Sequence, residues 1–149
     1  FSKIMRLLIF LSFFLLNIQY NYYLNQISKF ELEINLLNIK KNGTVWIAIY
    51  NNDVDFDAKD DNYSNIQFSI IEKVNKGNFS KKIILNEGIY AFKVFIDDNG
   101  NDKFDYNFIG FPKEQYGFSN NLIKILGPPN FSEASFNLSS NKKIDIKLR

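Results

Sequence analysis

Tyr90-Ala91-Phe92-Lys93-Val94-Phe95-Ile96 decides the fold, and it runs without a break into Asp97-Asp98-Asn99-Gly100-Asn101-Asp102-Lys103-Phe104-Asp105. In the first stretch Tyr90, Phe92, Val94 and Ile96 fall at every second position. That is the period at which the side chains of a strand share one face. The same alternation recurs in Phe30, Leu32, Ile34 and Leu36, in Val45, Ile47 and Ile49, and in Ile66, Phe68 and Ile70. It returns from Phe79 to Leu85 and in Ile144, Ile146 and Leu148, with Asn, Gly and Asp clusters between the runs. Runs so bounded read as half-buried strands. Asn42-Gly43 marks a turn, and Lys76-Gly77-Asn78 is expected to close a hairpin. Six or seven short strands with no amphipathic helix predict an all-β fold. We expect an immunoglobulin-like or prealbumin-like β-sandwich of about seven strands over residues 25–149.

Composition narrows the chemistry. A chain of 149 residues that is 46% apolar and 17% aromatic can bury one good core, which suits a single domain. Lys3 and Arg6 are two of the 18 basic residues, and no acidic residue lies among the first 28, so the remainder carries 16 of each sign. A neutral domain lacks the electrostatic footprint of a nucleic-acid binder, so no nucleic-acid partner is expected. The chain has no Cys and no His. Disulfides, thiolate nucleophiles, imidazole bases, Ser-His-Asp triads and ordinary zinc sites are thereby excluded.

Lys3 and Arg6 precede the unbroken apolar run Leu7-Leu8-Ile9-Phe10-Leu11-Ser12-Phe13-Phe14-Leu15-Leu16. A basic start followed by an apolar stretch of this length predicts a signal peptide over residues 1–24, and the run is short for a membrane-spanning helix. The expected location is secreted or periplasmic, in a bacterial cell envelope, with membrane contact only through this segment.

In the second half of the opening stretch, oxygen-bearing side chains recur at alternate positions. Hard cations take six to eight oxygen ligands at about 2.3–2.6 Å, and calcium loops supply them in this spacing. With Asp97 as the first ligand, Asn99 and Asn101 provide the third and fifth, the Lys103 carbonyl the seventh and Asp105 the ninth. The sixth position, where such loops turn with positive φ on a Gly, holds Asp102, one of the few residue types that tolerate that region. The twelfth is Phe108, so this is not a helix-flanked EF-hand, and a bidentate ligand has to come from elsewhere, with Asp98 and Glu114 as candidates. Four Asp within nine residues repel one another without a cation, which favours calcium over a solvated turn. Asp53, Asp55, Asp57, Asp60 and Asp61, opposed by Lys59, lack that Asn/Gly turn chemistry and read as a solvated loop.

Several motifs together resemble one bacterial family. Leu85-Asn86-Glu87-Gly88-Ile89-Tyr90 is similar to the Leu-x-Pro-Gly-x-Tyr turn of transthyretin-like and Cna-B-like sandwiches, with Glu87 in place of Pro. The residues from Ala91 to Asp105 follow, then Gly110-Phe111-Pro112-Lys113-Glu114, Tyr116-Gly117-Phe118-Ser119-Asn120-Asn121 and Gly127-Pro128-Pro129-Asn130-Phe131, in the order of the exported family known as domain of unknown function 2141. The resemblance covers roughly residues 30–149. It implies a sandwich in or outside the cell envelope and no activity. Ile96 stands where the family often has His, and Asp102 where it has Gly.

These observations lead us to expect a non-enzymatic exported protein with no catalytic residues. It would hold calcium and act as a binding or accessory module of the envelope for a glycan, peptide or protein. The segment from Gly110 to Phe131 is expected to cap the strand ends beside the ion, with Phe111, Tyr116 and Phe118 packed there, or to offer those aromatics with Lys113 and Glu114 as a ligand platform. The alternative is a hydrolase acting on an envelope or extracellular glycan through two carboxylates, Glu114 and an Asp of the loop.

Overall fold

A computed structural model describes residues 2–24, 28–58, 66–122, 124 and 127–149. Helix α1 (Lys3–Leu24) comes first. Eight strands follow: β1 (Lys29–Ile39), β2 (Gly43–Tyr50), β3 (Phe68–Val74), β4 (Gly77–Asn86), β5 (Gly88–Asp97), β6 (Tyr116–Phe118), β7 (Phe136–Leu138) and β8 (Lys142–Lys147). Two single-turn helices interrupt them, α2 (Asp53–Phe56) and α3 (Phe131–Ala134).

The strands form two sheets, as the alternation requires. One has the order β4-β1-β8, with β1 antiparallel to β4 and parallel to β8. The other runs β3-β2-β5-β6, and β7 pairs with β5 as well. The molecule is therefore a β-sandwich. Its core is the meeting of the alternating faces: Leu32, Ile34 and Leu36 of β1, Val45, Ile47 and Ile49 of β2, and Phe92, Val94 and Ile96 of β5 are each at most 2% exposed. Full burial of one such side chain contributes about 1.5–3 kcal/mol. Tyr90 belongs to the same face, and its hydroxyl donates to the Asn86 carbonyl at 2.9 Å, satisfying the one polar atom it carries inward.

The described side chains of helix α1 add nothing to this core. Its large apolar side chains from Leu7 to Leu16 remain 52–73% exposed, and the buried residues begin at Leu32. Among the described residues no helix is long and apolar enough to cross a membrane.

Lys76-Gly77-Asn78 does not close a hairpin. It carries the chain from β3 in one sheet to β4 in the other, with Gly77 at φ 127° and the Lys76 N–H bound to the Asn42 side chain at 2.8 Å. The turn residues signal a reversal; which sheet receives the next strand is set by the two buried faces. Phe68 is 39% exposed, so the inward positions of β3 are Ile70 and Val74.

The Asp-rich stretch after β2 is also more structured than its composition suggests. Asn52 caps α2 by accepting the Asp55 N–H at 3.0 Å, and Asp57 accepts the Phe131 N–H of α3 at 2.8 Å. These ties bring Phe56 and Phe131 onto the outer face of the second sheet beside Tyr50 and Ala91. Asp53, Asp55 and Asp57 thus serve α2 and its junction rather than a solvated loop; Lys59, Asp60 and Asp61 lie outside the described residues.

Candidate metal centre

Strand β5 delivers the loop. Ile96 points into the core, so Asp97 turns to the outer face at the sheet's end, beside Thr44 of β2. It is nevertheless only 1% exposed, because the loop folds back over it. Its Oδ1 accepts the N–H groups of Asn99 at 3.2 Å and Gly100 at 2.6 Å, and its Oδ2 accepts that of Asp102 at 2.9 Å. Asp102 reaches this position with φ 59°, the left-handed conformation expected at the sixth place of the loop.

The next two members repeat a local pattern. Asn99 Oδ1 accepts the Asn101 N–H at 3.0 Å, and Asn101 Oδ1 accepts the Lys103 N–H at 3.0 Å. Such side-chain turns let short polar residues hold backbone that is neither helix nor strand. Both amides then donate through Nδ2 to one oxygen, Asp105 Oδ2, at 2.6 Å from Asn99 and 2.9 Å from Asn101. Asp97, Asn99, Asn101, Lys103 and Asp105 are therefore linked in one network, in which Lys103 contributes its N–H rather than the carbonyl expected as a ligand, and the two Asn turn their amide nitrogens to Asp105.

Glu114 closes the network from outside the loop. It is 5% exposed, and its Oε1 and Oε2 accept the N–H groups of Asp98 and Asp105, each at 3.2 Å. Asp98, the other residue considered as an extra ligand, pairs with Lys41 at 2.7 Å. Glu114 thus joins the loop, while Asp98 is committed to Lys41.

The two buried carboxyls are held in opposite ways. Burial is the largest influence on each and pushes both up. At Asp97 the backbone N–H groups of Asp102, Gly100, Asn99 and Asn101 together outweigh it, so its carboxyl lies below the usual range. At Glu114 burial prevails over the N–H groups of Asp105 and Asp98, with the charges of Asp97 and Asp105 adding to the rise. A divalent ion placed among these groups would reverse that balance at Glu114.

Among the described residues no cluster of three or more Asp or Glu is gathered closely enough to hold an ion alone. A calcium set here has to be mixed, with two carboxylates, two amide oxygens and a carbonyl. The acceptor count permits it. A carboxylate has about four lone-pair directions and an amide oxygen two. Asp97 uses three and has a fourth N–H, that of Asn101, directed at it, Asp105 uses two and each Asn Oδ1 one, so the open directions lie mainly on Asp105 and the two Asn.

Beside the loop lies an aromatic layer in which Tyr116 and Phe118 pack on each other as expected, 5.9 Å between centroids, and which Trp46, Phe95 and Phe104 extend. Phe104 packs on Phe95 at 5.3 Å and Tyr116 at 5.8 Å between ring centroids, and Phe95 stacks on Trp46 at 5.9 Å. The signal was available, since Trp46 and Phe95 occupy outward positions of strands whose inward positions are already apolar. Phe111, expected to pack beside them, is 64% exposed. A cleft of about 370 Å³ opens beside the loop, lined by Asn42, Thr44, Lys73, Val74, Asp97 and Asp98 among others.

Fold and loop together define an all-β sandwich whose central strand ends in an acidic, amide-rich turn. The family model described as an uncharacterised protein conserved in bacteria, DUF2141, matches residues 34–147, and the chain belongs to that family. No curated protein and no solved structure matches it.

Proposed function

We propose that this chain is an exported, non-enzymatic β-sandwich of the bacterial cell envelope that binds calcium in the Asp97–Asp105 loop and serves as a binding or accessory module. The observation that carries the reading is the conformation of the loop. Asp97 gathers three backbone N–H groups, Asp102 turns with positive φ, and Asn99, Asn101 and Asp105 meet at one oxygen. Calcium would take the place that the two amide N–H groups occupy at Asp105, with the Asn oxygens and the Lys103 carbonyl turned to it. Glu114 has both oxygens tied to backbone N–H groups, which supports a positioning role rather than acid–base chemistry. Calcium titration by calorimetry tests the loop: heat with one-site stoichiometry is expected, and it should vanish in Asp105→Ala. Export is tested separately by mass spectrometry of the protein from its native host, where a mature chain lacking residues 1–24 is expected.

A further inference from the structure

The chain carries two Asn-Gly pairs, Asn42-Gly43 and Asn99-Gly100. At such a pair a peptide chain can modify itself, because a Gly nitrogen reaches the preceding side-chain carbon with no Cβ in the way. The fold treats the two pairs differently. Gly43 opens β2, pairs with Val74 of β3, and lies so close to the Asp97 carbonyl that an added Cβ would overlap that oxygen. Asn42 is tied down as well, its Oδ1 accepting the Lys76 N–H at 2.8 Å. Gly100 instead lies in the turn after β5 with φ 77°, exposed, and an added Cβ there would meet nothing within 4 Å. Around Asn99 the groups that a cyclisation needs are also in place. The Gly100 N–H donates to Asp97 Oδ1 at 2.6 Å, within reach of a base for the proton of the attacking nitrogen. Asn99 Oδ1 accepts the Asn101 N–H at 3.0 Å, which polarises the carbonyl under attack and stabilises the charge developing on its oxygen.

We propose that Asn99 is a self-modifying position, which loses its amide nitrogen by cyclising onto Gly100. The Gly100 nitrogen bonds to Asn99 Cγ as its proton passes to Asp97 Oδ1. The Cγ–Nδ2 bond breaks, the departing nitrogen takes a proton from water and leaves as ammonia, and Asp97 returns its proton to solvent. Water then opens the five-membered ring at one of its two C–N bonds, leaving aspartate or isoaspartate at position 99. One water is consumed and one ammonia released, and both residues are exposed to the solvent that supplies and removes them. The product loses the Asn99 Nδ2 bond to Asp105 Oδ2, 2.6 Å long here, and sets a new carboxylate against that oxygen. What this does to the loop rests on the calcium reading. A third carboxylate raises the charge of the ligand set, which tunes affinity in such loops, so the aspartate form should bind calcium more tightly. The isoaspartate form carries one more backbone atom, which shifts Asn101 and Asp105 out of register, and should bind it less.

The modification itself is tested in chelator, so that failure of the calcium reading does not affect the outcome. The full chain is kept in mildly alkaline buffer, folded in one arm and in urea in the other. Cleavage after Lys places Asn42 and Asn99 in separate peptides, and fragmentation of Val94–Lys103 tells Asn99 from Asn101. Conversion of amide to acid is followed by mass, and isoaspartate by an isoaspartyl-specific methyltransferase. In the folded chain Asn99 is expected to convert at least about tenfold faster than Asn42. It should also react no more slowly than in urea, where the two pairs convert at similar rates. Asp97→Asn, which keeps the shape of the side chain, should slow Asn99 several-fold in the folded chain and leave Asn42 unchanged. Asn42 keeping pace with Asn99 in the fold overturns the proposal. So does Asn99 reacting more slowly there than in urea, since the hydrogen bonds of the loop would then shield it. An unchanged rate in Asp97→Asn overturns the part given to Asp97.

Discussion

The Asp97 carboxylate takes the backbone N–H of Asp102 at 2.9 Å, and Asp102 adopts φ 59° in the turn that offers it. One buried acid therefore sets the path of the loop before any ion is considered. A side chain at the last position of a core strand is as well fixed as any in the protein, and it passes that rigidity to the flexible residues after it.

Replacing that acid should therefore be costly without calcium. Asp97→Ala leaves three backbone N–H groups under the loop without their acceptor, and an unsatisfied buried donor costs about 1–3 kcal/mol. Relaxation of the loop toward water will recover part of the sum. A loss of about 2–3 kcal/mol in urea unfolding, measured in chelator, is expected; a loss below about 0.5 kcal/mol would mean the carboxylate does not organise the loop.

Asp102→Gly should act in the opposite sense. The position already has the backbone conformation that Gly adopts freely, and L-residues meet a steric cost there. Stability is expected to be unchanged or raised by up to about 1 kcal/mol, with calcium affinity kept or improved. A clear drop in either would show that the Asp102 side chain itself contributes.

Gly43 faces the loop from β2. A Cβ added there would overlap the Asp97 carbonyl oxygen and crowd Asp98 Cα at 3.2 Å. Gly43→Ala is expected to cost about 1–3 kcal/mol and, on the proposed calcium reading, to blunt the calcium response, because it displaces Asp97. A melting curve and calcium titration of this variant matching wild type would place the strand end and the loop further apart than they are here.

How much of this was legible in the sequence follows from which interactions are local. Period-two runs located β1, β2, β4, β5 and β8, because each buries one face along its length. The strands β6 and β7, three residues each, are too short to show a period and exist through pairing with β5. The crossing at Gly77 was misread because turn chemistry is the same whether the next strand joins the same sheet or the facing one. At the site, the spacing from Asp97 to Asp105 was readable from the chain alone, and Asp102 takes the positive φ anticipated for it. Glu114 was expected near the loop as an extra ligand, but its two bonds to the Asp98 and Asp105 N–H groups rest on the Lys113 N–H pairing with the Asp105 carbonyl, a contact that no spacing encodes.

The two buried acids should give opposite pH signatures. Glu114 is raised, so its share of stability is full below the ordinary carboxylate range and is lost as pH rises through its elevated value. Asp97 is lowered, so its share is full above the ordinary range and is lost as pH falls through its depressed value. In chelator, the stability difference between wild type and Glu114→Gln should therefore move in favour of wild type as pH falls from neutral into the carboxylate range. A difference that stays flat, or moves the other way, would mean Glu114 is not held raised. Calcium, which favours the ionised form, should bind more weakly over the same fall in pH.

Thermal unfolding of the wild type in millimolar calcium and in chelator tests calcium binding at this loop most directly. Extracellular calcium modules commonly bind near 10⁻⁴–10⁻³ M, and a Kd of about 0.1 mM against 1 mM ion stabilises the folded state by about 1.4 kcal/mol. The expected result is a melting midpoint about 3–8 °C higher in calcium, with the rise abolished in Asp105→Ala. Coincident wild-type curves, together with no heat in the titration, would contradict it.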